Sequence, residues 1–154
     1  MSLRIVLPLF ALFAIGNAGP DPDAPVAGLW ESTTSLISFS GPEATPEKVD
    51  AVKRMFSTPQ VKRECDEQGP VRVGDVRGVC RVTRASEQGP SVEWEMSCTG
   101  PNDRYLGRAV TTGTRAPNRT DYRVTSDIHG EKGELLHTLV IREVSVRVGD
   151  CPKP

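Results

Sequence analysis

Four side chains in this sequence can bond covalently to one another: Cys65, Cys80, Cys98 and Cys151. Thiols ligate metals, attack substrates or oxidise in pairs, and spacing separates these roles. A zinc site takes its thiolates from short spacings such as C-x-x-C. Here the closest two cysteines, Cys65 and Cys80, are 15 residues apart, and no C-x-x-C redox pair occurs. An even number of widely spaced cysteines in an exported chain is the pattern of two disulfides, which also leaves no thiolate free to act as a nucleophile. Four cysteines allow three pairings.

Other chemistry is thinly represented. His129 and His137 are the only histidines. Asp127 and His129 have an i, i+2 spacing, but His129 falls in the turn signal HGEKG, where that spacing defines no common face. There is no G-x-S-x-G elbow for a serine nucleophile and no glycine-rich phosphate loop between a strand and a helix. Glu93 and Glu95 are a carboxylate pair on the polar side of an alternating run, where solvated acids are expected; Asp66 and Glu67 are simply adjacent. Met1, Met55 and Met96 do not form a thioether cluster. Asn118-Arg119-Thr120 matches the glycosylation pattern. The expectation is no catalytic residue, no metal and no cofactor, which leans away from an enzyme.

Elements that could position these groups follow from periodicity. Leu29 to Phe39 is rich in β-branched and aromatic residues and predicts a first strand. Thr45 to Phe56 is the one helix signal: Thr45 suits an N-cap, Pro46 the first helical position, and Val49, Val52, Met55 and Phe56 form one apolar stripe. That amphipathic helix is expected to cover a sheet edge or a barrel mouth, with a ligand lid or partner surface as the other reading. Further strands are predicted over Gln60–Cys65, a hairpin at 71–77 turning on Gly74-Asp75, Cys80–Arg84, Ser91–Cys98, Arg104–Thr112, Thr120–Ile128 and Leu135–Val148. A loop is expected at Thr114–Arg119. In the last strand the apolar residues change face near Arg142-Glu143, which predicts a bulge or bend. Trp30, Leu36, Trp94, Met96, Val124, Leu139, Ile141 and Val144 are the expected core. The class is all-β: one antiparallel, strongly curved meander or small barrel of about seven strands with one helix near 45–56. Folding 78–85 against 91–98 puts Cys80 near Cys98, which favours Cys80–Cys98 with Cys65–Cys151; Cys65–Cys80 with Cys98–Cys151 is the rival pairing. The repeat VRVGD at 71–75 and 146–150 marks two strand ends, because the residues before each copy differ.

The start of the chain adds a location. Arg4, the apolar run Ile5–Ile15 and the small residues Gly16-Asn17-Ala18 match a secretory signal peptide cut after Ala18. The run is too short for a membrane span of about 20 residues. Gly19 to Ala27 reads as a flexible leader, and 28–151 as a single disulfide-stapled domain. A formal net charge of −1 attracts neither nucleic acid nor an anionic membrane in bulk. Arg72, Arg77, Arg81 and Arg84 alternate with Asp66, Glu67 and Asp75, as on a solvated mixed face.

Several of these features occur together: Gly28-Leu29-Trp30-Glu31 at the start of the domain, V-K-x-x-C ending at Cys65, V-x-W-x-M-x-C ending at Cys98, and R-V-G-D-C ending at Cys151. Over residues 28–151 the chain resembles the exported bacterial family called domain of unknown function 3617. The resemblance implies a periplasmic location and supplies no activity and no site residues. The helical Thr45–Phe56 and the segment after Cys65 depart from the family's pattern. The functional expectation is a non-enzymatic periplasmic domain that binds an apolar small molecule or an envelope protein. A structural or stress-related envelope protein acting only through protein contacts is the alternative, and a carboxylate- or His137-based enzyme is the third reading.

Overall fold

Alternation of apolar and polar residues dictates strands here, and the computed structural model places seven of them. It describes residues 21–66, 80–99 and 106–152. In chain order these are β1 (Gly28–Ser40), α1 (Pro46–Met55), β2 (Gln60–Asp66), β3 (Cys80–Gln88), β4 (Ser91–Thr99), β5 (Leu106–Ala116), β6 (Arg119–His129) and β7 (Leu135–Gly149). The expected hairpin at 71–77 lies outside the described residues. All seven strands form one antiparallel sheet in the order β2-β1-β7-β6-β5-β4-β3. Strands β3 to β7 are a meander; β7 then pairs with β1, and β2 lies outside β1. Among the described residues the sheet is open, with β2 and β3 as its edges, rather than closed into a barrel.

Partners in antiparallel register share a face, so the register traces rows across the sheet. One inner row runs Trp94, Thr111, Val124, Ile141, Leu36. The row on one side of it runs Val92, Gly113, Tyr122, Glu143, Thr34, and the row on the other side Met96, Ala109, Ser126, Leu139, Phe39. Native twist and coil wrap this inner face around its largest side chains. Trp30 and Tyr122 are each 1% exposed, and Trp94 stands edge-on to Tyr122 with ring centroids 5.4 Å apart. Each indole finds an acceptor: Trp30 Nε1 donates to the Val26 carbonyl and Trp94 Nε1 to Glu87 Oε1, both at 3.1 Å. The outer face carries cross-strand ion pairs, among them Arg108–Glu95 at 2.8 Å and a two-point contact from Arg142 to Asp121.

Three expectations change. The bulge near Arg142-Glu143 is absent: β7 stays in register with β6 and β1 through Tyr122, Glu143 and Thr34. The irregularities sit instead at Leu29/Trp30, Leu36/Ser38, Val82/Arg84 and Ile128/His129. Apolar residues change face on β7 because the inner face itself changes character. Leu139 and Ile141 point inward, and so do Glu143 and the fully buried Ser145, which leaves Val144 and Val146 facing out. Val144 is therefore half-buried on the outer face, while Ser145, Thr120 and Tyr122 are in the core. Of the other expected core residues, Trp30 and Trp94 are buried, and Leu36, Met96, Val124, Leu139 and Ile141 are half-buried. Finally, Thr114–Arg119 is not a loop. Strand β5 runs to Ala116, β6 starts at Arg119, and Pro117-Asn118 is a two-residue turn.

The sulfurs are joined in the pairs Cys65–Cys151 and Cys80–Cys98, with Cα separations of 5.5 and 3.9 Å. Cys80 lies directly opposite Cys98 in the β3–β4 register. The segment ahead of β1 is tied to the turn end of the sheet. The Val26 amide donates to Pro117 O at 3.1 Å, Arg147 Nε donates to Ala27 O at 2.9 Å, and Asp21 pairs with Arg115.

Candidate functional site

Helix α1 forms where its caps dictate. Thr45 is extended and its hydroxyl accepts from the Lys48 amide at 3.4 Å; Pro46 opens the first turn. The chain reaches the helix by a tight turn against β7, where the Glu43 amide donates to Leu136 O at 2.9 Å. Gly41 makes this approach possible. Its φ of 129° is left-handed, and a Cβ there would lie 2.6 Å from the His137 Cα.

This anchoring lays the apolar stripe of α1 over the far end of the inner face, yet no helix residue is buried. Between helix and sheet runs a groove of about 450 Å³. Its helix side is Lys48, Ala51, Val52, Met55 and the following Phe56; its sheet side is Phe39 from β1 with His137 and Leu139 from β7. Phe39 and His137 contact each other with ring centroids 5.2 Å apart. The walls are apolar apart from Lys48 at one end and the His137 ring. The lining residues carry no carboxylate, thiol or hydroxyl, and the mainly apolar arrangement suits binding; its two polar groups, Lys48 and His137, are an amine and an imidazole. A second depression, of about 350 Å³, lies at the β3–β4 hairpin; it is lined mainly by hydroxyl and amide groups, and its one carboxylate, Glu93, faces Arg84 at 3.8 Å.

A polar cluster occupies the opposite half of the inner face. Ser32 and Ser145 share a hydrogen bond of 2.7 Å. Burial pushes the Glu143 carboxyl above the usual carboxylate range, against a hydrogen bond from Thr34 and the charge of Lys62. Burial also pushes the Tyr122 hydroxyl up to about 12. The Tyr122 hydroxyl lies beside Thr120, and Arg115 Nε has no hydrogen-bond partner among the described residues. Tyr122 and Thr120 are each 1% exposed, so no substrate reaches them without unfolding the strands. The cluster belongs to the core.

The groups singled out in the sequence are dispersed. Asp127 accepts from Thr138 Oγ1 at 2.6 Å on the outer face, while His137 faces the groove. Glu93 and Glu95 lie on the outer face with arginine partners. Among the described residues no three His, Cys, Asp or Glu side chains come together as a metal site. The sheet wall of the groove, Phe39, His137 and Leu139, is not foreseen from the sequence. The groove's one local signal is the stripe Val49, Val52, Met55 and Phe56, expected to cover a sheet edge or mouth, or else to serve as a ligand lid or partner surface.

A family model matches residues 25–151 of the 154. The chain belongs to the family described as "Protein of unknown function (DUF3617)". The DUF3617 match takes in both disulfides, α1 and every residue of the groove. No curated protein and no solved structure matches the chain.

Proposed function

We propose that this DUF3617 chain is an exported periplasmic domain that holds an apolar small molecule between α1 and the inner face of the sheet. The groove carries the reading. An amphipathic helix turns its apolar stripe toward an apolar sheet face, none of its residues is buried, and the space between has the size of a small-molecule site. The outer face, by contrast, is laced with ion pairs. Location rests on the signal-like residues 1–18. The family description names no activity and is neutral on both points.

Native mass spectrometry of the protein recovered from a Gram-negative periplasm tests the proposal. The expected result is a chain beginning at Gly19 that carries a small apolar adduct, and an adduct-free spectrum for Val52→Asp. Full-length chain retained in the cytoplasm would overturn the location. If the native protein carries no adduct and binds no added apolar probe, the binding reading fails. A stoichiometric protein bound through α1 in place of the adduct would turn the assignment to an envelope protein partner.

A further inference from the structure

We propose that the groove selects a free, single-chain amphiphile with an anionic head, of the long-chain carboxylate class, with its head at Lys48. This rests on the reading that the groove binds an apolar molecule and adds the charge of that molecule's head. Lys48 is the one formally charged side chain lining the groove. It sits at the N-terminal end of the helix wall, while Met55 and Phe56 close the other end, about 10 Å further along the axis at the helical rise per residue. The groove is therefore elongated, apolar along its length and cationic at one end. That shape matches an extended aliphatic chain with a charged terminus better than a compact ring system. Met55, 66% exposed and unbranched, can follow chains of different length.

Lys48 is held ready for such a head. Its Nζ donates to Glu43 Oε2 at 3.1 Å, and the two side chains are 53% and 49% exposed. Glu43 takes one of the ammonium's three donors and leaves the others for an incoming carboxylate. The lysine stem adds to the apolar wall while its head stays at the rim. A neutral ligand gains nothing from the Lys48 charge, and a cationic one is repelled by it. Glu43 opposes an anion, so its removal is expected to strengthen binding.

Three probes with the same twelve-carbon chain separate these effects: dodecanoate, 1-dodecanol and dodecyltrimethylammonium, each below its aggregation concentration. They are titrated into the intact mature protein at low salt by displacement of a neutral fluorescent naphthylamine. Dodecanoate is expected to bind about fivefold more tightly than dodecanol, the size of a half-exposed charge pair, and the ammonium probe most weakly. Lys48→Gln should erase the dodecanoate advantage, so that dodecanoate and dodecanol bind the variant with equal affinity. Glu43→Gln should move dodecanoate the other way, about twofold tighter. Both positions are half-exposed, so unchanged circular dichroism is expected of each variant. Equal affinity for all three probes, or an advantage that survives Lys48→Gln, overturns the head-group assignment and leaves the apolar groove standing. Failure of every probe to bind removes the groove reading itself. Binding to phosphatidylglycerol vesicles without binding to dodecanoate overturns the proposal in favour of a membrane surface.

Discussion

Glu143 is the residue whose chemistry is most at odds with its place. It lies between Tyr122 and Thr34 in an inner row, and burial raises its carboxyl above the usual value of 4.5. The folded chain thus holds that proton more tightly than the unfolded chain does. The linked stabilisation is complete below the unfolded value and is lost as pH rises through the raised folded one. Asp121, one residue from Tyr122 but on the outer face, behaves in the opposite sense. Hydrogen bonds from Arg142 hold its carboxyl below 3.8, so its stabilisation is present above that value and is lost as pH falls through the depressed one. Glu143→Gln should therefore raise the melting temperature at neutral pH and flatten its dependence above the usual carboxylate value, since a neutral amide keeps the Thr34 contact without a buried charge. Arg142→Met should lower it at neutral pH, by an amount that shrinks as the pH falls through the depressed Asp121 value. Thermal melts between about pH 2 and 8 decide both, and a lower melting temperature for Glu143→Gln at neutral pH would mean that the carboxylate is held by a cation.

Elements were legible where local signals decide them. The strand β4 alternates strictly, and the caps Thr45 and Pro46 fix the start of α1. Hairpin register favoured Cys80 near Cys98 over the rival Cys65–Cys80 pairing, and β3 and β4 set the two opposite each other. What was not legible depends on partners remote in sequence. The polar half of the inner face needs β1, β6 and β7 side by side before Ser145 and Thr120 count as interior. The groove needs α1 folded back over the ends of β1 and β7. The turn at Pro117-Asn118 was hidden because Pro and Asn occur equally in longer loops. Disulfides are an element-scale matter too, because each ties one strand to another. Cys65–Cys151 spans 86 residues and Cys80–Cys98 spans 18. On loop-closure entropy the first stabilises by about 4–5 kcal/mol and the second by about 3 kcal/mol. Urea unfolding of Cys65→Ser/Cys151→Ser and Cys80→Ser/Cys98→Ser is expected to show the larger loss in the first double variant. The reverse order would show that the Cys80–Cys98 pair holds native structure that the entropy model leaves out.

At the scale of the whole molecule, one open sheet has to satisfy two edges and one divided inner face. The half around Trp30, Tyr122 and Trp94 is sealed, with residues 21–27 tied down at that end. The half around Leu139 and Phe39 continues into the groove. An open sheet also offers unpaired backbone at its edges, and natural sheets guard such edges with charge. Strand β2 follows that rule. Lys62, Arg63 and Glu64 stand in succession with side chains 72%, 67% and 62% exposed, and Lys62 pairs with Glu64 along the strand. Their neighbour Val61 is itself 61% exposed, so charge is the main barrier to a second copy adding to the edge. Lys62→Val/Glu64→Val would leave the edge reading Val-Val-Arg-Val, and concentration-dependent self-association is expected by sedimentation at about 100 µM, where aggregation-prone strands reveal themselves. Lys62→Thr/Glu64→Thr keeps β propensity without the apolar surface and should sediment as the parent chain does. If the valine variant also sediments like the parent, the edge is shielded by covering chain, and charge on β2 is not what keeps copies apart.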